Sequence, residues 1–112
     1  MAEPIFAINQ NILFNGVISA SASLVSSSVD ISEVFGFCIQ AVWAGTSPAG
    51  TINVQGSTDN INFNTVTSLS VSGNTGNDLL NFNVAHFRYV QCTFTGSGGT
   101  GTLNIQLSAK RL

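Results

Sequence analysis

The stretch Phe87–Ala109, FRYVQCTFTGSGGTGTLNIQLSA, decides the fold class. Two runs of strand-forming residues flank the hexapeptide Gly96-Ser97-Gly98-Gly99-Thr100-Gly101, and nothing in the stretch repeats at helical spacing. The second run alternates strictly. Leu103, Ile105, Leu107 and Ala109 fall on one side and Thr102, Asn104, Gln106 and Ser108 on the other, the pattern of a strand buried on one face. The first run is apolar on both sides, with Phe87 and Tyr89 opposed to Val90, Cys92 and Phe94, so it reads as a strand covered on both faces or partly covered by another subunit. A glycine-rich connection between two such runs predicts a β-hairpin. The hexapeptide also fits G-x-G-x-x-G letter for letter, but that fingerprint holds a pyrophosphate at the N-terminus of a helix. In this chain the glycines lead into a strand, so no dinucleotide is expected.

Working outward, the same two-residue period places strands near 12–20, 22–32 (whole or broken), 36–44, 50–57, 61–67, 69–72, 79–84, 86–95 and 101–109. In FGFCIQAVW, one face carries Phe37, Ile39, Ala41 and Trp43 and the other Cys38, Gln40 and Val42. The first set is the better core face. Asp59-Asn60 separates TINVQGS from INFNTV and tolerates the backbone of a tight turn. Ser47-Pro48-Ala49-Gly50 is expected to break the chain after Trp43, and residues 72–78, SGNTGND, to form a polar loop. Many short strands with turn signals between them predict an all-β fold, an antiparallel β-sandwich that is jelly-roll-like. Residues 1–11 contain Pro4 and little alternation, so they read as an N-terminal arm, with 12–112 as one sandwich domain.

A chain of 112 residues buries a core without metal or disulfide staples. Charged residues are 7% of it, against about 25% in ordinary proteins. Surfaces of this kind repel copies of themselves weakly, which favours association. The formal net charge is −2 and the cations are Arg88, Lys110 and Arg111, so no basic stripe exists for nucleic acid. No apolar run approaches the length of a membrane span, and MAEPIFAINQN lacks the form of a signal peptide. Synthesis in a host cytoplasm is expected, with Cys38 and Cys92 as buried thiols rather than a disulfide.

Groups able to do chemistry are few. His86 is the one histidine, and no activating motif surrounds a nucleophile. Asp30 and Glu33 are three apart and would face opposite sides of a strand. The run Asp59-Asn60-Ile61-Asn62-Phe63-Asn64 resembles the opening of a calcium loop, yet Asn64 and Ser70 stand where the glycine and the bidentate glutamate are needed. No catalytic residue, metal site or cofactor is therefore assigned, and the chain is expected not to be an enzyme. Trp43, Phe63 and Asn62 are the candidates for carbohydrate contact, with Trp43 also placed on the core face. Ile5, Phe6 and Ile8 of the arm, with Val90 and Phe94 of the two-sided strand, are the candidates for an interface.

In order and spacing, four segments resemble small β-sandwich virion proteins of tailed bacteriophages. They are VWAGTSPAGT from Val42, VQGSTD from Val54 leading to Phe63, FRYV from Phe87, and GTGTLN from Gly99. Where relatives often carry Arg after the Tyr-Val pair, Gln91 stands here. The resemblance covers residues 36–109 and implies a non-enzymatic virion component, such as a head decoration (cement) protein or a neck or head-fibre module. Its implied partners are copies of itself, with a trimer favoured, and the major capsid protein or other virion proteins. The Ser57-x-Asp59 turn before Phe63, together with Arg88-Tyr89-Val90, is also similar to discoidin-type carbohydrate-binding sandwiches, which makes a glycan the alternative partner.

Overall fold

The structure is a computed structural model that describes residues 7–31, 34–82 and 88–111. Its strands are β1 (Ala7–Ser19), β2 (Ser23–Val25), β3 (Val29–Asp30), β4 (Val34–Ser57), β5 (Asn64–Val71), β6 (Thr75–Phe82) and β7 (Tyr89–Arg111). Two of them dominate. β4 and β7 run for 24 and 23 residues, where a typical strand has about 5–6, and they pair antiparallel from Val34↔Arg111 to Ser57↔Tyr89.

Each long strand changes neighbours half-way along. Phe37–Ala44 of β4 pairs with β6 on its second edge, whereas Gly50–Gly56 pairs with β5. On β7, residues 100–111 pair with β1, and Tyr89–Thr95 pairs with β2 and β3. One continuous ribbon thus supplies the two middle strands of two layers, β1-β7-β4-β6 and β2/β3-β7-β4-β5. The fold is an antiparallel β-sandwich, jelly-roll-like, as the alternation predicts.

The ribbon turns from one layer to the other where the local composition predicts that it stops. The ladder slips between Thr46 and Ala49 and again before Gly50, leaving Ser47 and Pro48 as a bulge opposite the glycine run. Ser47 has φ 48° and Gly99 φ 63°. Pro48 has no N–H to give, and inside a bulge it loses no ladder bond. Asn74 secures the bend: its Oδ1 accepts the Ser47 N–H at 2.9 Å, and its carbonyl accepts the Gly45 N–H at 2.8 Å. Two expectations are corrected here. Gly96–Gly101 is not a hairpin turn but the bent interior of β7, and Ser47–Gly50 does not end β4. Matching irregularities on both strands let the ladder resume beyond the bend.

The inner faces follow the predicted parity. Phe37, Ile39, Ala41 and Trp43 sit beside Ala109, Leu107, Ile105 and Leu103, so Phe37 and Ile105 each face an alanine across the ladder, while Ile39 and Trp43 pair with leucines. Phe82 stacks on Phe37 at 4.6 Å between ring centroids. The second layer contributes Ile52, Val54, Leu69, Val71, Val90, Cys92 and Phe94. Ile39 and Leu107 in one layer and Ile52, Val54 and Val90 in the other are all 0% exposed, which requires each face to cover the other. Together they form one hydrophobic cluster.

The arm boundary is also corrected. Ala7–Asn11 belongs to β1 and pairs with Arg111–Leu107, and residues 1–6 lie outside the described part of the chain. A bulge between Ile12 and Phe14 turns Leu13 into the core. β5 is a single strand where two were expected, and β6 starts at Thr75, inside the predicted polar loop.

Candidate functional site

The connection from β4 to β5 is built by its own polar side chains. The Ser57 hydroxyl, buried at the end of β4, donates to Asp59 Oδ1 at 2.8 Å and accepts the N–H groups of Asp59 and Asn60. Asp59 Oδ1 in turn accepts the backbone N–H groups of Ile61 and Asn62 at 2.9 and 2.8 Å, and Oδ2 accepts the Asn62 amide at 2.8 Å. Asn60 takes the left-handed backbone, φ 61°, that the turn demands. The Asn62 and Ile61 backbone donors, with smaller contributions from the Asn62 and Ser57 side chains, hold the Asp59 carboxyl well below the usual carboxylate range. At neutral pH it is a fixed acceptor.

Beside this turn lies an open depression of about 330 Å³, lined by Ser57, Thr58, Asp59, Asn62, Asn64, Thr65 and Val66. Hydroxyls, amides and one ionised carboxylate with a small apolar wall suit a neutral ligand rich in hydroxyl groups. Of the predicted carbohydrate contacts, Asn62 lines the depression. Phe63 is half-buried and is not among the lining residues. Trp43 is corrected: it is 6% exposed, packed in the core, and its indole N–H donates to the Ser72 carbonyl at 2.9 Å. The Ser57-x-Asp59 spacing signals this turn in the sequence, whereas Thr58, Asn64 and Thr65 join the lining with no local pattern to mark them.

The predicted interface residues also separate. Val90 and Phe94 are 0% and 2% exposed within the single chain, so they are core and present nothing to a second copy. The face they share is apolar because it packs in the core, and the opposite face of the run, with Gln91, Thr93 and Thr95, is polar and at least partly exposed, so no second subunit is needed to cover it. Ile8 occupies a β1 position opposite Lys110. Ile5, Phe6, Glu33, His86 and Phe87 lie outside the described residues. Asp30 pairs with Arg88 at 3.2 Å, fastening β3 to the start of β7, and the guanidinium stands 5.3 Å from the centre of the Tyr89 ring. Both cysteines are free thiols. Cys92 is buried, and burial pushes its thiol up to about 12, whereas Cys38 is half-buried on the outward side of β4.

The outward face of the β1-β7-β4-β6 layer has a different character. Its cross-strand rows read Ile12-Gln106-Gln40-Leu79, then Asn15-Asn104-Val42-Asn77, then Val17-Thr102-Ala44-Thr75. No charged side chain appears in them. Ile12, Val17, Val42 and Leu79 are 60%, 75%, 46% and 45% exposed. The other layer's outward face is laced by side-chain bonds, Gln91 to Gln55 at 2.9 Å and Ser68 to Asn53 at 2.7 Å, and its exposed Val25 and Val66 lie on opposite edge strands.

Among solved structures, the chain is similar to the SPBc2 prophage-derived protein YomS, with a TM-score of 0.64 at 11% identity over 98% of each chain. It is similar to the PBSX exported protein XepA, with a TM-score of 0.67 at 14% identity, covering 90% of this chain and spanning 36% of that one. A third likeness is to a carbohydrate-binding module of Cellvibrio mixtus lichenase 5A in complex with cellotriose, with a TM-score of 0.51 at 14% identity over 89% of this chain and 85% of that one. At such identities these likenesses show the sandwich fold. No family model and no curated protein matches the sequence. Phage-derived proteins and carbohydrate-binding modules thus share this architecture.

Proposed function

We propose that the chain is a non-enzymatic structural protein of a bacteriophage particle, made in the host cytoplasm and acting by protein–protein contact, with decoration of the capsid as its specific role. The observation that carries this reading is the set of three outward cross-strand rows without a charged side chain and with four exposed aliphatic ones, a surface suited to contact rather than chemistry. The full-length likeness to a prophage-derived protein supports it at the level of architecture. Its partners are other copies of itself and the major capsid protein, and Ile5 and Phe6 remain proposed anchors. The test is quantitative mass spectrometry of gradient-purified particles. Copy numbers in proportion to capsid subunits are expected, and absence from particles together with no binding to purified capsids would overturn the reading.

The depression beside Asp59 favours a second reading, recognition of a glycan, since its lining offers hydrogen-bond donors and acceptors for sugar hydroxyls. Asn62→Ala and Thr65→Ala would then abolish binding on a glycan array while leaving the circular dichroism of the fold unchanged. A blank array with the unmodified chain would dismiss it.

A further inference from the structure

We propose that the outward face of the β1-β7-β4-β6 layer is the surface through which two copies of this chain associate, sheet against sheet about a twofold axis. This deepens the self-association within the proposed function and rests on it. The three central rows of the face hold twelve side chains, none of them charged. These rows give a charged partner nothing to pair with, and two copies brought together through them suffer no repulsion there. Amides strengthen the case for self-pairing. Asn15, Asn104, Asn77 and Gln40 each carry a donor and an acceptor on one group, so a field of amides is complementary to a copy of itself, as a twofold contact requires. The aliphatic positions point the same way. Val42 lies in the middle row, with Ile12 and Leu79 at the two edges of the row on one side of it and Val17 in the row on the other, so apolar area is spread across the face. No aromatic ring stands in these rows to stack on a sugar, which separates this surface from the Asp59 depression.

The available area sets the strength. Four strands about 4.8 Å apart, each presenting about seven residues at about 3.3 Å, give a flat area of roughly 450 Å² per copy before side-chain relief. A standard interface takes about 800 Å² per partner. The pair should therefore be weak in dilute solution and populated where copies are concentrated, as on a particle.

Sedimentation velocity of the full chain from about 5 to 500 µM tests this, with midpoints in the micromolar range or above expected for an interface of this size. The mass should rise towards twice the monomer. Val42→Lys, which buries an unpaired charge at the centre of the face, should weaken association by roughly tenfold or more, whereas Val66→Lys on the opposite sheet should leave it unchanged. Far-ultraviolet circular dichroism checks that both variants are folded. Alkylation of Cys38, which lies on the same outward side of β4, should slow as concentration rises, with buried Cys92 silent throughout. A monomer at every concentration, a trimer, or a Val42→Lys variant that associates like the parent would overturn the proposal. Particle incorporation is measured separately: a monomeric chain found on particles defeats this surface alone, and a dimer absent from particles defeats the functional reading alone.

Discussion

Trp43 shows how far parity carries at the scale of one residue. Alternation places it on the inward face with Phe37, Ile39 and Ala41, and the structure agrees. What alternation cannot show is that Gly76, its ladder partner, leaves the space in which the indole lies: a Cβ there would stand 2.5 Å from the ring. Trp43→Ala should cost about 3–5 kcal/mol in chemical denaturation, as a large core truncation does. Trp43→Phe keeps an aromatic ring but gives up the bond to the Ser72 carbonyl, so a smaller loss is expected. Asp59 was legible as a turn residue but not as the hub of four hydrogen bonds, because those depend on where Ser57 and Asn62 are brought by the closing loop. Its carboxyl ionises more readily folded than unfolded. The stabilisation it gives is complete above the ordinary carboxylate value of about 4 and fades as pH falls further, through the folded value. Thermal melts from about pH 2 to 7 should show Asp59→Asn losing part of the acid-side slope below about pH 4, with no new pH dependence near neutrality.

Strand identity and facing were legible at the scale of the element; strand continuity was not. Ser47-Pro48-Ala49-Gly50 and the glycine run carry the composition of turns, and locally they do depart from regular strand geometry. The paired bulges compensate one another across the ladder, a relation between residues some 50 positions apart that no local pattern displays. Gly101 faces Gly45 at the bend, and a Cβ on Gly101 would lie 2.3 Å from the Ala44 carbonyl oxygen. Gly101→Ala should destabilise by about 1–3 kcal/mol through forced backbone movement. Gly98 sits in the same run, yet a Cβ there meets only the Ala49 methyl at 3.7 Å, an ordinary contact. Gly98→Ala should lie within about 0.5 kcal/mol of the parent. Equal losses at the two positions would show that glycine content, rather than close approach, is what the bend requires.

For the molecule as a whole, the shared ribbon makes the two layers one cooperative unit. In a sandwich whose sheets are joined only by loops, one sheet could in principle loosen before the other; here β4 and β7 pass through both, and each inner face is dry only because the other covers it. Trp43 belongs to the layer with β1 and β6, and Tyr89 to the layer with β3. Urea titrations followed by tryptophan fluorescence, tyrosine near-ultraviolet signal and far-ultraviolet circular dichroism should therefore give coincident transitions. The pairing that defines the fold also joins residues far apart in sequence, from Ser57↔Tyr89 out to Val34↔Arg111. Loop closure of that span precedes the contacts that reward it, so refolding should fall in the milliseconds-to-seconds range of all-β domains rather than the microseconds of local folds. Substitutions at the bend supply a sharper test. If the ribbon must turn before the layers can meet, Gly101→Ala should slow refolding, whereas truncating Ile52 or Leu107 to Ala in one layer should act mainly on unfolding. A Gly101→Ala variant that refolds at the parental rate and only unfolds faster would place the formation of the bend after the rate-limiting step.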